Sequence, residues 1–242
     1  MKTGILFIHG FTGNTVEVQP LADFIAERNE KIICSIPTLS GHGVELKLHG
    51  VRATHWFRDV ENAYRTLASK VDQVVVVGFS MGGVLALYLA LRYPVKRLVL
   101  LSAAVKYIDP KQLYLVAKEL LMNRKNLTDE QNRWLQHCFY QAKNMNPMAI
   151  KSFTEVVHQV TPYLSEISQP VMIVQGEQDG LVPKETADYL FDHLGSTEKI
   201  KYFSKNGHHH ICFSDDRTKW FEQVYDFIFK ENKNQNIMPD CN

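Results

Sequence analysis

The stretch VVVVGFSMGG, Val74 to Gly83, decides how this chain folds. Four successive valines leave no polar side for water, which is how a strand covered on both faces reads. The run then breaks at Gly78-Phe79-Ser80-Met81-Gly82 and passes into MGGVLALYLALRYP, a helix pattern that is apolar almost all round and suits burial against a sheet. A G-x-S-x-G pentapeptide has little weight alone. Between a strand and a helix, its tight turn forces the serine into a strained backbone conformation and lifts the hydroxyl clear of the sheet's carboxyl edge. Ser80 is therefore the candidate nucleophile. The Met81 N–H, at a helix N-terminus, stands where it can stabilise a developing oxyanion. A plain glycine-rich turn is the bland alternative. A phosphate loop is disfavoured, since neither the lysine and Ser/Thr of a P-loop nor G-x-G-x-x-G is present.

Outward from this point the same rhythm continues. Short apolar runs recur at GILFIHG from Gly4, KIICSIP from Lys31, KRLVLLSA from Lys96, VMIVQG from Val171 and KIKYFS from Lys199. Each is expected to be a strand buried on both faces. Helical patterns lie between them: VQPLADFIAERN places Leu21, Phe24 and Ile25 on one face, and HWFRDVENAYRTLAS does so with Trp56, Val60, Tyr64 and Leu67. Strand alternating with helix predicts an α/β fold, a mostly parallel sheet of about six strands flanked by helices. From about Val105 to Leu164 no strand candidate appears. Residues 105–164 are expected to form a small helical cap, inserted in a core of residues 1–104 and 165–242 at the sheet edge where open α/β sheets bind ligands. The polar tail KENKNQNIMPDCN is expected to fray.

Bulk properties narrow the function classes. Basic and acidic side chains number 27 and 26, with no block of like charge, so neither nucleic acid nor an anionic membrane surface is an expected partner. No run is long and apolar enough for stable membrane insertion. The N-terminal MKTGILFIHG reads as a buried strand, because it lacks a signal-peptidase site. Cys34, Cys138, Cys212 and Cys241 show no C-x-x-C pair and read as reduced thiols. A cytoplasmic protein is expected.

A serine hydroxyl needs a base to take its proton and an acid to orient that base. After VMIVQG comes EQDGLVP, with Asp179 just beyond a strand and Glu177 as its nearer rival. Asp179 is favoured because it sits farther into the loop, though an Asx-turn or cap role would also suit it. The strand KIKYFS runs into NGHHHIC, His208 to His210. Consecutive residues cannot all point at one ion, and no carboxylate or cysteine pattern completes a site, so no metal is expected. One imidazole of the three is expected to serve as base. After the first strand, HGFTG (His9 to Gly13) offers the Phe11 N–H as a second oxyanion donor, with His9 as a structural histidine of the loop.

HGFTG, GFSMG, QGEQD and GHHHIC in this order resemble the α/β-hydrolase superfamily over essentially the whole chain. More narrowly, the chain is similar to the small bacterial carboxylesterases that also include thermostable monoacylglycerol lipases. SGHG at Ser40 to Gly43 and HWFRDV at His55 to Val60 match that group's loop and following helix. The resemblance implies that the chain begins at the superfamily's third strand, without the first two. It implies Ser80 as nucleophile, Asp179 as acid, a histidine of the cluster as base, Phe11 and Met81 as oxyanion donors, and no cofactor. The group's Ser-Gly-His-Val-Ile-Thr is departed from here, because NGHHHIC carries one extra residue. Counted from the strand, His208 matches the base. Counted back from the helix, with Ser214 as N-cap and Phe221, Val224 and Phe227 on its core face, His209 matches it. Helix register is held by packing while a loop absorbs an insertion, so His209 is favoured, His208 is the alternative and His210 ranks last.

The expected activity is that of a serine carboxylesterase acting on short- to medium-chain esters of small molecules through an acyl-enzyme. The alternatives are a monoacylglycerol lipase, a thioesterase or acyltransferase on the same triad, a peptidase, or a receptor that binds without turnover. Tyr114, Leu115, Phe139 and Met145 of the cap are candidate acyl-chain contacts or ordinary core. The sequence is silent on the oligomeric state.

Overall fold

The computed structural model describes residues 1–43, 45–106 and 147–229. Six strands form one sheet: β1 (Thr3–Ile8), β2 (Ile33–Ser35), β3 (Gln73–Phe79), β4 (Val95–Leu101), β5 (Val171–Gly176) and β6 (Lys199–Ser204). Their spatial order is β2-β1-β3-β4-β5-β6 and every pairing is parallel. Six helices are described: α1 (Gln19–Arg28), α2 (Ala53–Ala68), α3 (Met81–Arg92), α4 (Pro147–Val160), α5 (Glu185–His193) and α6 (Arg217–Phe229).

The period-2 geometry of a strand splits the apolar runs between two cores. Ile5, Phe7, Val75, Val77, Val99, Leu101, Met172 and Val174 face α1 and α6, whose Leu21, Ile25, Trp220, Phe221, Val224 and Phe227 close that layer. Leu6, Ile8, Val74, Val76, Leu98, Leu100 and Ile173 face α2, α3, α4 and α5. Each fully buried valine or leucine contributes about 1.5–3 kcal/mol relative to exposure, so the unbroken apolar runs of the inner strands follow from burial on both faces. The expectation of two-faced burial fails for β2, which is half-buried throughout, and for β6, which is half-buried up to Ser204. Both lie at the sheet's edges, with one neighbouring strand each among the described residues.

Ser214 is also not the N-cap of the last helix. It ends a short 3₁₀ turn at Ile211–Phe213, and α6 begins three residues later at Arg217. Its hydroxyl instead accepts the Trp220 indole N–H at 3.2 Å, since a buried indole needs an acceptor more than a solvated helix start needs a cap. Most of the expected cap, with Tyr114, Leu115, Phe139 and Met145, lies outside the described residues. Its last helix, α4, buries Ala149, Phe153, Val156, Val157 and Val160 in the same core as α2 and α3. Cys34 and Cys212 are free thiols; Cys138 and Cys241 fall outside the described residues. Among the described residues no helix is long and apolar enough to cross a membrane.

The chain steps from β1 outward to β2 and returns across β1 to β3, so the sheet order reverses between β1 and β3. That switch point opens a crevice at the carboxyl ends of the strands. The α3 helix is pressed hard against it. A Cβ on Gly82 would lie 2.2 Å from the carbonyl oxygen of Ile8, and one on Gly78 would lie 2.2 Å from that of Gly82. Both obstacles are backbone and cannot rotate away. Gly82→Ala is therefore expected to destabilise the fold by about 3 kcal/mol, as overpacking a rigid core does. Chemical denaturation measures this, and an unchanged midpoint would contradict the close approach.

Candidate active site

Ser80 sits at the N-cap of α3 with φ 53° and ψ −117°, one of three non-glycine residues at positive φ among those described. A serine at a helix N-cap ordinarily turns its hydroxyl back to cap the helix. Here the strained backbone denies it that bond, at a cost of about 1–3 kcal/mol. The turn is held by Ser80 N–H donating to Leu101 O at 2.9 Å, and by Gly83 and Ala104 N–H donating to Ser80 O at 3.0 and 3.2 Å. The freed hydroxyl lies 3.1 Å from Nε2 of His209.

The parallel register carries the other two loops to the same edge. Ser102 N–H donates to Val174 O and Glu177 N–H to Ser204 O, so the ladder continues past the strand ends. Asp179 is buried and His209 Nδ1–H donates to its Oδ2 at 2.9 Å. Leu181 and Val182 N–H donate to Oδ1 at 2.9 and 2.8 Å, an Asx-type turn that fixes the carboxylate plane. The rival Glu177 is exposed.

Three neighbouring imidazoles have three different partners. His208 is exposed and donates from Nδ1 to Gln178 O at 3.1 Å. His209 is buried between Asp179 and Ser80. His210 points its Nε2 to Glu17 Oε1 at 2.9 Å. Among the described residues no group of His, Cys, Asp and Glu could hold a metal ion.

The electrostatics of His209 and Asp179 are coupled. Burial alone would push the Asp179 carboxyl up, but the His209 imidazole and the Val182 and Leu181 amides outweigh it and hold it below the usual range. Burial alone would depress His209, yet the Asp179 charge and hydrogen bond, with Glu17 adding, raise it above its ordinary value. The two shifts are one interaction seen from either partner.

Two contributors, Gln175 and Phe79, carry no obvious sequence signal. Gln175, the one polar residue of the VMIVQG run, is buried and donates from Nε2 to Asp179 Oδ2 and to Val182 O, both at 3.0 Å. Phe79 packs its ring 5.0 Å from that of His209. His9 is fully buried, donating from Nδ1 to Gly10 O at 2.9 Å and accepting the Leu39 N–H on Nε2 at 3.1 Å. Burial pushes its pKa down, which keeps it neutral and able to do both. Phe11 follows on the HGFTG loop. Among the described residues neither its N–H nor that of Met81 makes a hydrogen bond.

A parallel sheet with a left-handed serine at its switch point, and an imidazole and a carboxylate in line behind it, defines the α/β-hydrolase class. The family described as serine aminopeptidase, S33, matches residues 1–216. The chain belongs to that family and is a serine hydrolase of its esterase- and lipase-like kind. It is 25% identical over 230 residues to a carboxylesterase of Bacillus subtilis (strain 168), covering 93% of this chain and 92% of that protein. It is 29% identical over 231 residues to a thermostable monoacylglycerol lipase of Bacillus sp. (strain H-257), covering 94% and 90%. Among solved structures it is similar to one from the metagenome-derived lipolytic enzymes LipS and LipT, with TM-score 0.76, 23% identity and coverage of 95% and 94%. The monoacylglycerol lipase of Paleococcus ferrophilus shares the fold at TM-score 0.70 and 15% identity, with 93% of each chain covered.

Proposed function

We propose that the protein is a cofactor-free serine esterase that cleaves carboxylic esters of small molecules, with Ser80 as nucleophile, His209 as base and Asp179 as acid. The observation that carries this reading is the unbroken line from Ser80 Oγ through His209 to Asp179 at 3.1 and 2.9 Å. In the reaction, Ser80 Oγ bonds to the ester carbonyl carbon as its proton passes to His209 Nε2. The carbonyl oxygen becomes an oxyanion that accepts the Phe11 and Met81 N–H groups, the latter reinforced by the α3 dipole. Collapse expels the alcohol, which takes the proton from His209. Water, deprotonated by the same imidazole, then splits the acyl-enzyme into free acid and Ser80.

Beside the Phe11 amide the ring of Phe11 stacks on Phe153 at 5.3 Å and meets Trp56 edge-on at 5.8 Å. An apolar wall suits short- to medium-chain acyl groups. Monoacylglycerols are the second reading, favoured by the 29% identity to a monoacylglycerol lipase over most of both chains. The family's description names a peptidase, whereas these long-range relatives are an esterase and a lipase.

A fluorophosphonate probe should label the wild type and not Ser80→Ala, and p-nitrophenyl esters from acetate to octanoate should be hydrolysed. An unlabelled wild type would leave only a non-catalytic receptor, and labelling without hydrolysis would point to acyl transfer. Comparing kcat/KM for these esters with that for monoacylglycerols separates the two readings. The acid limb of kcat/KM has its own sign. Only neutral His209 is a base, and its pKa is raised above 6.5, so activity should fall on acidification with a midpoint above 6.5. A midpoint below that value would contradict the Asp179 coupling.

A further inference from the structure

The HGFTG loop is gripped on both sides of Phe11, whose amide is the loop's expected contribution to the chemistry. The Gly10 N–H, one residue before Phe11, donates to Glu17 Oε2 at 2.9 Å. The Thr12 N–H, one residue after, donates to Nε2 of His42 at 3.1 Å. Thr12 is itself at φ 63°, a left-handed conformation that a threonine adopts only under constraint. We propose that Glu17 and His42 are positioning residues of the oxyanion hole, holding the loop so that the Phe11 N–H between them is left to meet the reacting carbonyl oxygen. The inference rests on the reading of Phe11 as donor given above.

Each clamp is anchored in turn. The second oxygen of Glu17 takes His210 Nε2 at 2.9 Å, tying the loop after β1 to the histidine loop after β6. This gives the third imidazole of the run a structural task. Asn14 starts the 3₁₀ turn Thr15–Glu17 by accepting the Val16 N–H on its side chain at 2.9 Å, which carries Glu17 back beneath the loop. The loop's last glycine fits the same device. A Cβ on Gly13 would lie 2.1 Å from Glu17 Oε2, so a side chain there would drive the carboxylate off Gly10.

On the other side, His42 donates from Nδ1 to Ser40 O at 3.1 Å, which leaves Nε2 as an acceptor. Ser40 O also accepts the Trp56 indole N–H at 3.0 Å, and the Ser40 N–H donates to Asp59 Oδ2 at 2.6 Å, fastening the SGHG turn to α2. The His42 ring lies 5.1 Å from His9, 5.7 Å from Trp56 and 6.2 Å from Phe11. Burial, with His9 close by, pushes its pKa down to about 4, so the ring stays neutral and keeps the lone pair that Thr12 needs. A positioned oxyanion donor matters only when charge develops on the substrate oxygen, so loosening it lowers kcat and leaves ground-state binding alone.

The test is steady-state hydrolysis of p-nitrophenyl butyrate by His42→Phe, His42→Gln, Glu17→Leu, Glu17→Gln and Gly13→Ala, with melting temperature measured on each. His42→Phe and Glu17→Leu delete the acceptor and should lower kcat about 10- to 100-fold with KM within about threefold, the range a misplaced or lost donor gives. Each glutamine variant restores an acceptor oxygen and should recover most of the loss, and Gly13→Ala should reproduce Glu17→Leu. A rise in KM at constant kcat, or a loss that the glutamine variants share with the apolar ones, would overturn the assignment. Where an apolar variant melts below the assay temperature, Gly13→Ala carries the test, since it displaces the Glu17 carboxylate while leaving both clamp side chains in place, and an unchanged kcat there would overturn the clamp. Ser80→Ala in the same assay separates the two levels. Turnover in Ser80→Ala sinks the underlying reading, whereas an inert Ser80→Ala beside unimpaired His42→Phe and Glu17→Leu sinks only the clamp.

Discussion

His209→Ala should lower kcat by about a million-fold, as far as Ser80→Ala does, because serine and base act as one unit and removing either removes the pair's whole contribution. His208→Ala, one residue away, should stay within about threefold of wild type, since an exposed ring on a backbone carbonyl contributes little. The contrast rests on orientation. His209 reaches Ser80 Oγ and Asp179 from its two nitrogens, while His208 spends Nδ1 on Gln178 O. Both single variants and the Ser80→Ala control are read in one assay with an activated ester. Turnover in His209→Ala together with its loss in His208→Ala would reassign the base.

Asp179→Asn should cost about ten-thousand-fold in kcat, through the wrong tautomer and not through lost packing. The Leu181 and Val182 amides hold Oδ1, so an asparagine there keeps its carbonyl oxygen on them and turns its NH₂ toward His209 and Gln175. His209 Nδ1 must then accept, which puts its proton on Nε2 and leaves nothing to take the proton of Ser80. The NH₂ also faces the Gln175 amide, a donor against a donor. Melting temperature should move little beside the kinetic loss. A fall of less than about tenfold in kcat would show that the carboxylate does not set the tautomer.

Both results depend on features of unequal visibility. The inner strands are legible because covering both faces of a sheet demands unbroken apolar runs, as in Val74 to Val77. The edge strands β2 and β6 keep the apolar composition without the burial, since edge or centre is settled by neighbours far along the chain. Ser80 is legible because strand, turn and helix around it are contiguous. Ser214 misleads for the opposite reason: the start of α6 depends on the Trp220 indole taking its hydroxyl, which no local pattern announces. Gln175 and Glu17 carry no local sign of their roles until the loops they serve are brought beside them.

The sequence by itself determined the α/β sheet, the strained serine at its carboxyl edge and the order in which acid and histidines follow, because each rests on periodicity or on a few adjacent residues. Only the tertiary structure decided where three adjacent imidazoles point, which carboxylate meets one of them and what holds the HGFTG loop. Those choices join groups 129 residues apart at Ser80 and His209 and 193 apart at Glu17 and His210. A hydrogen bond of that span exists only once the whole sheet has set the register of its loops.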